Sequence, residues 1–291
     1  MRKDKKTFII AEAGVNHNGS LKKALRLIDV ATLAGADAIK FQTFKAERIA
    51  TKFAPKAQYQ KNVVFKKETQ FQMLKKLELT RDMHLKCIQY CKQKKIIFIS
   101  SAFDKDSLIF LKKINIKFFK VPSGEINNIP YLELLGKFRK KVILSTGMAN
   151  ISEIDKAVKT LVKNGTPKNN IVLLQCTSSY PAPLEEINLK VIDTLKKKFK
   201  LNVGFSDHSL GIIASVAAVA VGAKVIEKHI TLDKKLNGPD HKASLDPDEF
   251  KLMVDNIKIV EKALGNGIKK VTLSEKKNIN IVRKSIVAAK F

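Results

Sequence analysis

Short apolar runs alternate with amphipathic stretches along the whole chain, and this alternation limits the possible folds more than any other feature. The runs are Phe8–Ala11, Ala38–Phe41, Ile96–Ile99, Phe118–Val121, Val142–Leu144, Ile171–Gln175, Asn202–Phe205 and Lys224–Glu227. Runs this short read as buried strands, and the stretches between them carry apolar residues at helical spacing. Helices are expected at Leu21–Ala34, Thr80–Lys94, Asp106–Lys113, Ser152–Lys163, Ile187–Lys198, Gly211–Val221 and Pro247–Ala263. Ser20 and Ser152 are candidate N-caps, and Gly165–Thr166–Pro167 is a stop signal. Strand–helix repeats of this number over about 250 residues predict an α/β fold of the aldolase type, a (β/α)8 TIM barrel with a parallel eight-stranded barrel, because a doubly wound sheet usually ends sooner. No linker divides the chain. One long insertion, Lys45 to about Lys67 with Tyr59 and Phe65, reads either as a lid or binding element or as a surface excursion.

In a parallel barrel the C-terminal ends of the strands share one rim, so the residues that follow each run are expected to meet. Every run is followed by polar groups. They are Glu12, Asn16 and His17; Lys40 and Gln42; Ser101, Phe103 and Asp104; Lys120, Ser123 and Glu125; Ser145 and Thr146; Thr177, Ser178 and Tyr180; Ser206 and His208; and Lys228 and His229. His208 and His229 leave adjacent units, so they are placed to converge on one metal ion. Lys40, Lys120 and Lys228, with the hydroxyls of Ser123, Ser145 and Thr177, are candidates to hold a carboxylate and a phosphate. Glu12, Glu125 and Asp240 are carboxylates suited to proton transfer beside a polarised carbonyl. His17 reads either as a loop ligand or as a residue that orients the first loop, and His84, in a lysine-rich helix, as a surface side chain. No P-loop and no glycine-rich dinucleotide fingerprint is present, so neither ATP nor NAD is implied.

The net charge of +28 raises the question of nucleic acid. Nucleic-acid binding needs a basic patch, ideally interleaved with stacking aromatics. Here the lysines recur in small groups on nearly every expected helix, as at Lys22–Lys23, Lys75–Lys76 and Lys196–Lys198, and tryptophan is absent. That pattern describes solvated helix faces, with attraction of an anionic small-molecule substrate as a by-product. No run approaches the roughly 18 apolar residues of a membrane span, and the N-terminus passes from charges directly into the first strand, so neither a membrane partner nor a signal peptide is expected. Three cysteines, an odd number, argue for a reducing cytoplasm, and Cys87 and Cys91, one helical turn apart, read as small apolar residues on a helix face.

Several segments resemble the sialic acid synthases and their relatives, the legionaminate synthases. They are AEAGVNHNGS at 11–20, KFQTFKAE at 40–47, APKAQYQ at 54–60, KVPSGEINN at 120–128, LSTGM at 144–148, GFSDHSLG at 204–211, IEKHITLD at 226–233 and GPDHKASL at 238–245. The resemblance implies condensation of phosphoenolpyruvate with an N-acetylmannosamine-type sugar to make a nonulosonic acid, on a TIM barrel that uses Mn2+ or Mg2+. The alternatives are a 2,4-diacetamido-trideoxy hexose as the sugar, or a barrel that binds ligands without turnover. It further implies His208 and His229 as metal ligands, and Lys40, Lys120, Ser123 and Ser145 as the phosphoenolpyruvate site, with Lys284 beside it. Glu12 and Asp240 fall on the sugar side, Gln42 and Tyr180 line the cleft, and Glu125 handles water or a proton. Thr177–Ser178–Ser179–Tyr180 departs from relatives that carry asparagine beside the tyrosine, so the identity of the sugar does not transfer. By the same resemblance, residues 1–282 form the catalytic barrel, 283–291 begin a linker toward an antifreeze-like domain absent from this chain, and the protein is a cytoplasmic homodimer.

Overall fold

The computed structural model describes residues 6–55, 68–287 and 289; Tyr59 and Phe65 of the insertion lie outside the described residues. The eight strands are β1 (Phe8–Gly14), β2 (Ala38–Thr43), β3 (Ile97–Ala102), β4 (Phe118–Val121), β5 (Lys141–Ser145), β6 (Ile171–Cys176), β7 (Asn202–Asp207) and β8 (Val225–His229). They form a closed, all-parallel barrel in chain order, with β8 pairing back onto β1. Every expected strand is present, and most run one to three residues further at the C-terminal end, into the polar residues.

Closure follows from strands that are apolar on both faces, as an all-parallel sheet requires. Alternate side chains point inward, where Phe8, Ile97, Phe118 and Val172 floor the barrel and Ile10, Ala38, Ile99, Ile143, Leu174 and Val225 fill its middle. The other set, including Ile9, Ile39, Phe41, Phe119, Leu173 and Phe205, packs outward beneath the helices. Helix α1 (Leu21–Ala34) shows the sequence logic of that outer layer. Ala24, Leu27, Ile28, Ala31 and Ala34 make one buried face, Ser20 caps the N-terminus by accepting from the Lys23 N–H, and Gly35 ends the helix in the left-handed region at φ 86°.

The insertion contributes α2 (Ala46–Ile49) and is followed by α3 (Gln70–Leu77), which the periodicity did not single out. Next come α4 (Arg81–Lys94), α5 (Lys105–Lys113), α6 (Ile129–Gly136), α7 (Ile151–Lys163), α8 (Val191–Phe199), α9 (Ile213–Ala220) and α10 (Pro247–Leu264). Helix α6 was also not anticipated. The cap of α7 is Asn150 and not Ser152, because Asn150 and Glu153 satisfy each other's backbone N–H groups in a capping box. Beyond α10 the described residues form two four-residue helices, α11 (Leu273–Lys276) and α12 (Ile279–Val282), and are almost wholly exposed. Among the described residues no helix is long and apolar enough to cross a membrane.

Helix α4 corrects one expectation. His84 is not on the surface; it lies on the buried face with Cys87 and Cys91. Its Nδ1–H donates to the Thr80 carbonyl at 2.8 Å and its Nε2 accepts from the Thr43 hydroxyl at 2.7 Å, so the ring bridges α4 to β2. The two cysteines are free, and burial pushes both thiols up, leaving them inert. His17 resolves toward the loop-orienting alternative: it is fully buried, and its Nδ1 accepts from the Gly19 N–H at 3.0 Å.

Burial lowers both His17 and His84 to about 4, from an ordinary value of 6.5. Between those values the unfolded chain binds protons that the native rings refuse, so stability is lost as pH falls from 6.5 toward 4. One such ring contributes about 2 kcal/mol between pH 6.5 and 5. Denaturant unfolding at pH 7 and pH 5 is therefore expected to show a smaller acid loss for His84→Gln than for the unmodified chain, and equal losses would contradict the assignment.

Candidate active site

Strand parity builds the barrel mouth. One layer above the apolar middle, the inward positions are Glu12, Lys40, Ser101, Lys120, Ser145, Cys176, Ser206 and Glu227, one from each strand. Register brings opposite charges and donors side by side: Glu12 pairs with Lys40, Ser101 with Lys120, and Ser206 with Glu227. A further step up, the inward set continues as Gln42, Phe103, Ser178, His208 and His229. These residues line a cavity of about 420 Å³ that also takes in Ser123, Tyr180 and Asp240.

Four charges at the cavity floor alternate in sign. Lys40 Nζ is 2.8 Å from Glu12 and 3.8 Å from Glu227, and it donates to Ser101 Oγ at 3.1 Å. Lys120 Nζ is 3.4 Å from Glu227 and donates to Ser145 Oγ at 2.7 Å. All four side chains are at most 5% exposed. Burial would raise Glu227, but Lys120 and Lys40, helped by the Ser206 hydroxyl at 2.9 Å, bring it down to about 2. Glu12 has only Lys40 beside it and faces the Glu227 charge, so burial lifts it to about 7. Desolvation lowers Lys120, whereas for Lys40 the neighbouring Glu12 and Glu227 overcome burial and raise it. The floor thus holds one fixed carboxylate, one carboxyl that titrates near neutrality, and two ammonium groups with serine hydroxyls around them.

The two histidines stand over this floor. Their ring centroids are 5.8 Å apart, with Tyr180 stacked on His208 at 4.1 Å and edge-on to His229 at 5.6 Å. His208 Nδ1–H donates to the Thr177 carbonyl at 2.6 Å, which leaves the Nε2 lone pair on the cavity side, 3.3 Å from Ser206 Oγ. Burial lowers His208 to about 4 and His229 well below its ordinary range, so both are neutral at physiological pH. His229 Nδ1 is buried without a hydrogen-bond partner and lies 4.0 Å from Asp240 Oδ2. Burial raises that carboxyl to about 6. Gly14 adopts a left-handed φ of 51°, and a Cβ there would stand 3.3–3.4 Å from Glu12, Asp240 and His229 at once, which shows how closely the three converge.

Among the described residues no three His, Cys, Asp or Glu side chains stand close enough to form a ready-made metal cluster. The donor set nevertheless fits a divalent ion. Two neutral imidazoles, one of them with its buried Nδ1 unpartnered, and a nearby carboxyl are groups a divalent ion takes, with its remaining positions left to water or substrate oxygen.

Three sequence candidates are not brought into this cavity. Thr177 turns its hydroxyl to the Glu186 carbonyl at 3.1 Å and serves the site through its own carbonyl, which sets the His208 tautomer. Glu125 sits just past the cavity-lining Gly124, and its carboxylate accepts from Asn128 at 2.6 Å. Lys284 is exposed in the C-terminal segment. Lys228 is also misplaced by the strand-end argument: it has the wrong parity, points outward, and is fully buried against Asp207 at 2.9 Å and the Ser209 carbonyl at 2.6 Å. Asp207 in turn accepts from the hydroxyls of Ser209 and Ser215, each at 2.6 Å, so the pair locks β7 to β8 directly behind the two histidines. Glu227 was missed, although it lies two residues before His229 and therefore on the same inward face.

A closed parallel barrel with lysines, carboxyls and neutral imidazoles converging on a cavity at its C-terminal mouth defines a TIM-type barrel with a charge-lined pocket. The chain belongs to the NeuB family, which it matches over residues 27–269. It is 54% identical over 286 residues to the N,N'-diacetyllegionaminic acid synthase of Campylobacter jejuni, covering 98% of this chain and 86% of that one. The enzyme of the same name from Legionella pneumophila is 46% identical, covering 96% of this chain and 79% of that one. Among solved structures, the N-acetylneuraminic acid (sialic acid) synthetase of Leptospira borgpetersenii, determined with citrate, superposes with a TM-score of 0.83 at 37% identity. That match covers 97% of this chain and 94% of the other.

The Asp207–Lys228 pair yields a stability test. Removing one partner of a buried ion pair strands the other and costs about 3–5 kcal/mol, whereas replacing both with apolar groups is close to neutral. Lys228→Met is expected to lose that amount in denaturant unfolding, and Asp207→Asn/Lys228→Met, which removes both charges but keeps an acceptor for Ser209, to regain most of it. A loss under about 1 kcal/mol in the single variant would contradict the pair's structural role.

Proposed function

We propose that this chain condenses phosphoenolpyruvate with an N-acetylated amino sugar to give a nonulosonic acid, releasing phosphate. The observation that carries this reading is the charge-alternating floor. Two buried lysines with the hydroxyls of Ser101, Ser123 and Ser145 provide converging donors for a compact, multiply charged anion. Membership of the NeuB family and the names of its relatives supply the substrate class.

In this reading the phosphate and carboxylate of phosphoenolpyruvate sit against Lys40, Lys120, Ser123 and Ser145, which orients C3 toward the sugar aldehyde. His208 and His229 would hold a divalent ion, which when bound supplies Lewis-acid polarisation of a carbonyl. As C3 bonds to the aldehyde carbon, the aldehyde oxygen must gain a proton. In this reading that proton passes through Asp240, the carboxyl beside His229. Positive charge develops at C2, which the Glu227 carboxylate, kept low by Lys120 and Lys40, stabilises. Water then adds at C2, and as the C2–O bond to phosphate cleaves, the new C2 hydroxyl passes its proton to the departing phosphate and becomes the ketone. Glu125, at the rim and raised by its half-burial, takes the proton of that water after leaving Asn128. Gln42, Phe103, Ser178, Tyr180 and Ser206 shape the remainder of the cleft.

The sugar is of the N-acetylmannosamine type. Within that class, identity to two legionaminic acid synthases favours the 2,4-diacetamido-trideoxy hexose. A homodimer in a reducing cytoplasm completes the reading, supported by three free cysteines and by the exposed apolar Leu184, Leu210 and Ile213.

Phosphate release from phosphoenolpyruvate is expected only when the amino sugar and Mn2+ are both present; release without sugar, or none with any amino sugar, would overturn the reading. Glu125→Ala is expected to lower kcat by about 10²–10⁴ while leaving phosphoenolpyruvate affinity unchanged. An unchanged kcat would move the water-side proton to Glu12 or Asp240.

A further inference from the structure

In the inward layer that carries the two lysines, every side chain is a carboxyl, an ammonium group or a hydroxyl except one, the thiol of Cys176. Cys176 is free and 5% exposed at the end of β6, where register sets it beside Ser206. Cys87 and Cys91 pack among the apolar side chains of the outer layer, whereas Cys176 meets a polar group. Its Sγ is 3.2 Å from Ser123 Oγ, and the same oxygen accepts from the Gly147 N–H at 3.1 Å. Ser123 lines the cavity, and the thiol stands behind it. Gly147 permits this close approach, because a Cβ there would come within 2.8 Å of Ser123 Oγ and 3.0 Å of Cys176 Sγ. Three directions around Ser123 Oγ are thereby assigned: one to the Gly147 N–H, one to the Cys176 thiol and one to the cavity.

A serine hydroxyl has one proton to donate and two lone pairs that accept. On Ser123 the Gly147 N–H occupies one lone pair. If Ser123 gave its proton to Cys176 Sγ, the oxygen would turn its second lone pair toward the cavity and repel an anion there. If the thiol donates instead, both lone pairs are occupied and the hydroxyl proton is left for the ligand. We infer that Cys176 is a positioning residue for the anion seat, its S–H donating to Ser123 Oγ so that the Ser123 hydroxyl proton faces the phosphate or carboxylate of phosphoenolpyruvate. This role rests on the condensation proposed above and extends its anion site to a side chain that does not touch the substrate. A bound anion reinforces the arrangement, since an ionised oxygen is a far better acceptor than a thiol sulfur. The thiol then fills the direction that the hydroxyl proton has vacated, and no buried lone pair of Ser123 is left unpaired.

The test is a double-mutant cycle on phosphoenolpyruvate affinity, measured by calorimetric titration with Mn2+ present, in the unmodified chain, Cys176→Ala, Cys176→Ser, Ser123→Ala and Cys176→Ala/Ser123→Ala. Phosphate release with the amino sugar gives kcat and KM for each. Cys176→Ala is expected to weaken phosphoenolpyruvate binding by about 3–10-fold, the range of one neutral hydrogen bond, and to raise its KM in step while kcat stays within about twofold. Cys176→Ser places a hydroxyl donor beside the same oxygen and is expected to bind within about twofold of the unmodified chain. In the Ser123→Ala background no hydroxyl remains to be oriented, so adding Cys176→Ala is expected to cost nothing further. A thiol that only fills space would leave Cys176→Ser no better than Cys176→Ala and the two single losses additive. Either of those results, or unaltered affinity in Cys176→Ala, would overturn the role of Cys176 while leaving the anion seat standing. If Cys176→Ala melts early, Cys176→Val, which fills the volume without a donor, takes its place in the cycle with the same expected loss. Absence of phosphoenolpyruvate binding by the unmodified chain would overturn the seat and the role together.

Discussion

The alternating charges Glu12, Lys40, Glu227 and Lys120 are the interaction on which the rest of the site depends. Four ionised or ionisable groups buried at one level of a barrel would be intolerable singly, since each desolvated charge costs several kcal/mol. They are tolerable together because parallel register sets every cation beside a carboxylate and beside a serine hydroxyl. The arrangement has a functional consequence. The cations are already desolvated and held in place, so on the function we propose the anion meets preorganised donors.

That floor determines what the upper layer can do. Burial above it holds both histidines neutral, the form in which imidazole binds a metal or accepts a proton. The Thr177 carbonyl fixes which nitrogen of His208 faces the cavity. Behind the mouth, Asp207 and Lys228 tie together the two strands that carry the histidines, so a residue that never touches the cavity still sets the geometry within it. The apolar cluster under α3 completes the contrast: one wall of the cavity is lined by charge and the other by apolar side chains.

Much of this is legible in the sequence, for physical reasons that differ by layer. The strands are legible because both faces of a parallel barrel strand are apolar, which gives unbroken runs such as Phe8–Ala11 and Ile171–Gln175. The rim residues are legible because the runs end in polar groups at the same end. Parity is where the strand-end argument falls short. It treats Lys228 as equivalent to Lys40 and Lys120 and passes over Glu227, whereas a period of two counted back from His229 separates them. The buried state of His84 depends on Thr43 of β2, itself bonded to Ser100 of β3, and no local pattern in a lysine-rich helix announces such partners. The short α3 and α6 offer too few turns for periodicity, and α3 acquires its role only through cavity contacts with Val15, Phe44 and Phe103. Thr177 is a site residue through its backbone, which side-chain chemistry does not reveal.

The claim that the charge-alternating floor is the seat of the anion is tested most directly by calorimetric titration of phosphoenolpyruvate into the unmodified chain and into Lys120→Met. Loss of a charge-assisted donor is predicted to weaken binding by about 10–100-fold in a variant that retains its fold by circular dichroism. Equal affinity in the two proteins would contradict the account.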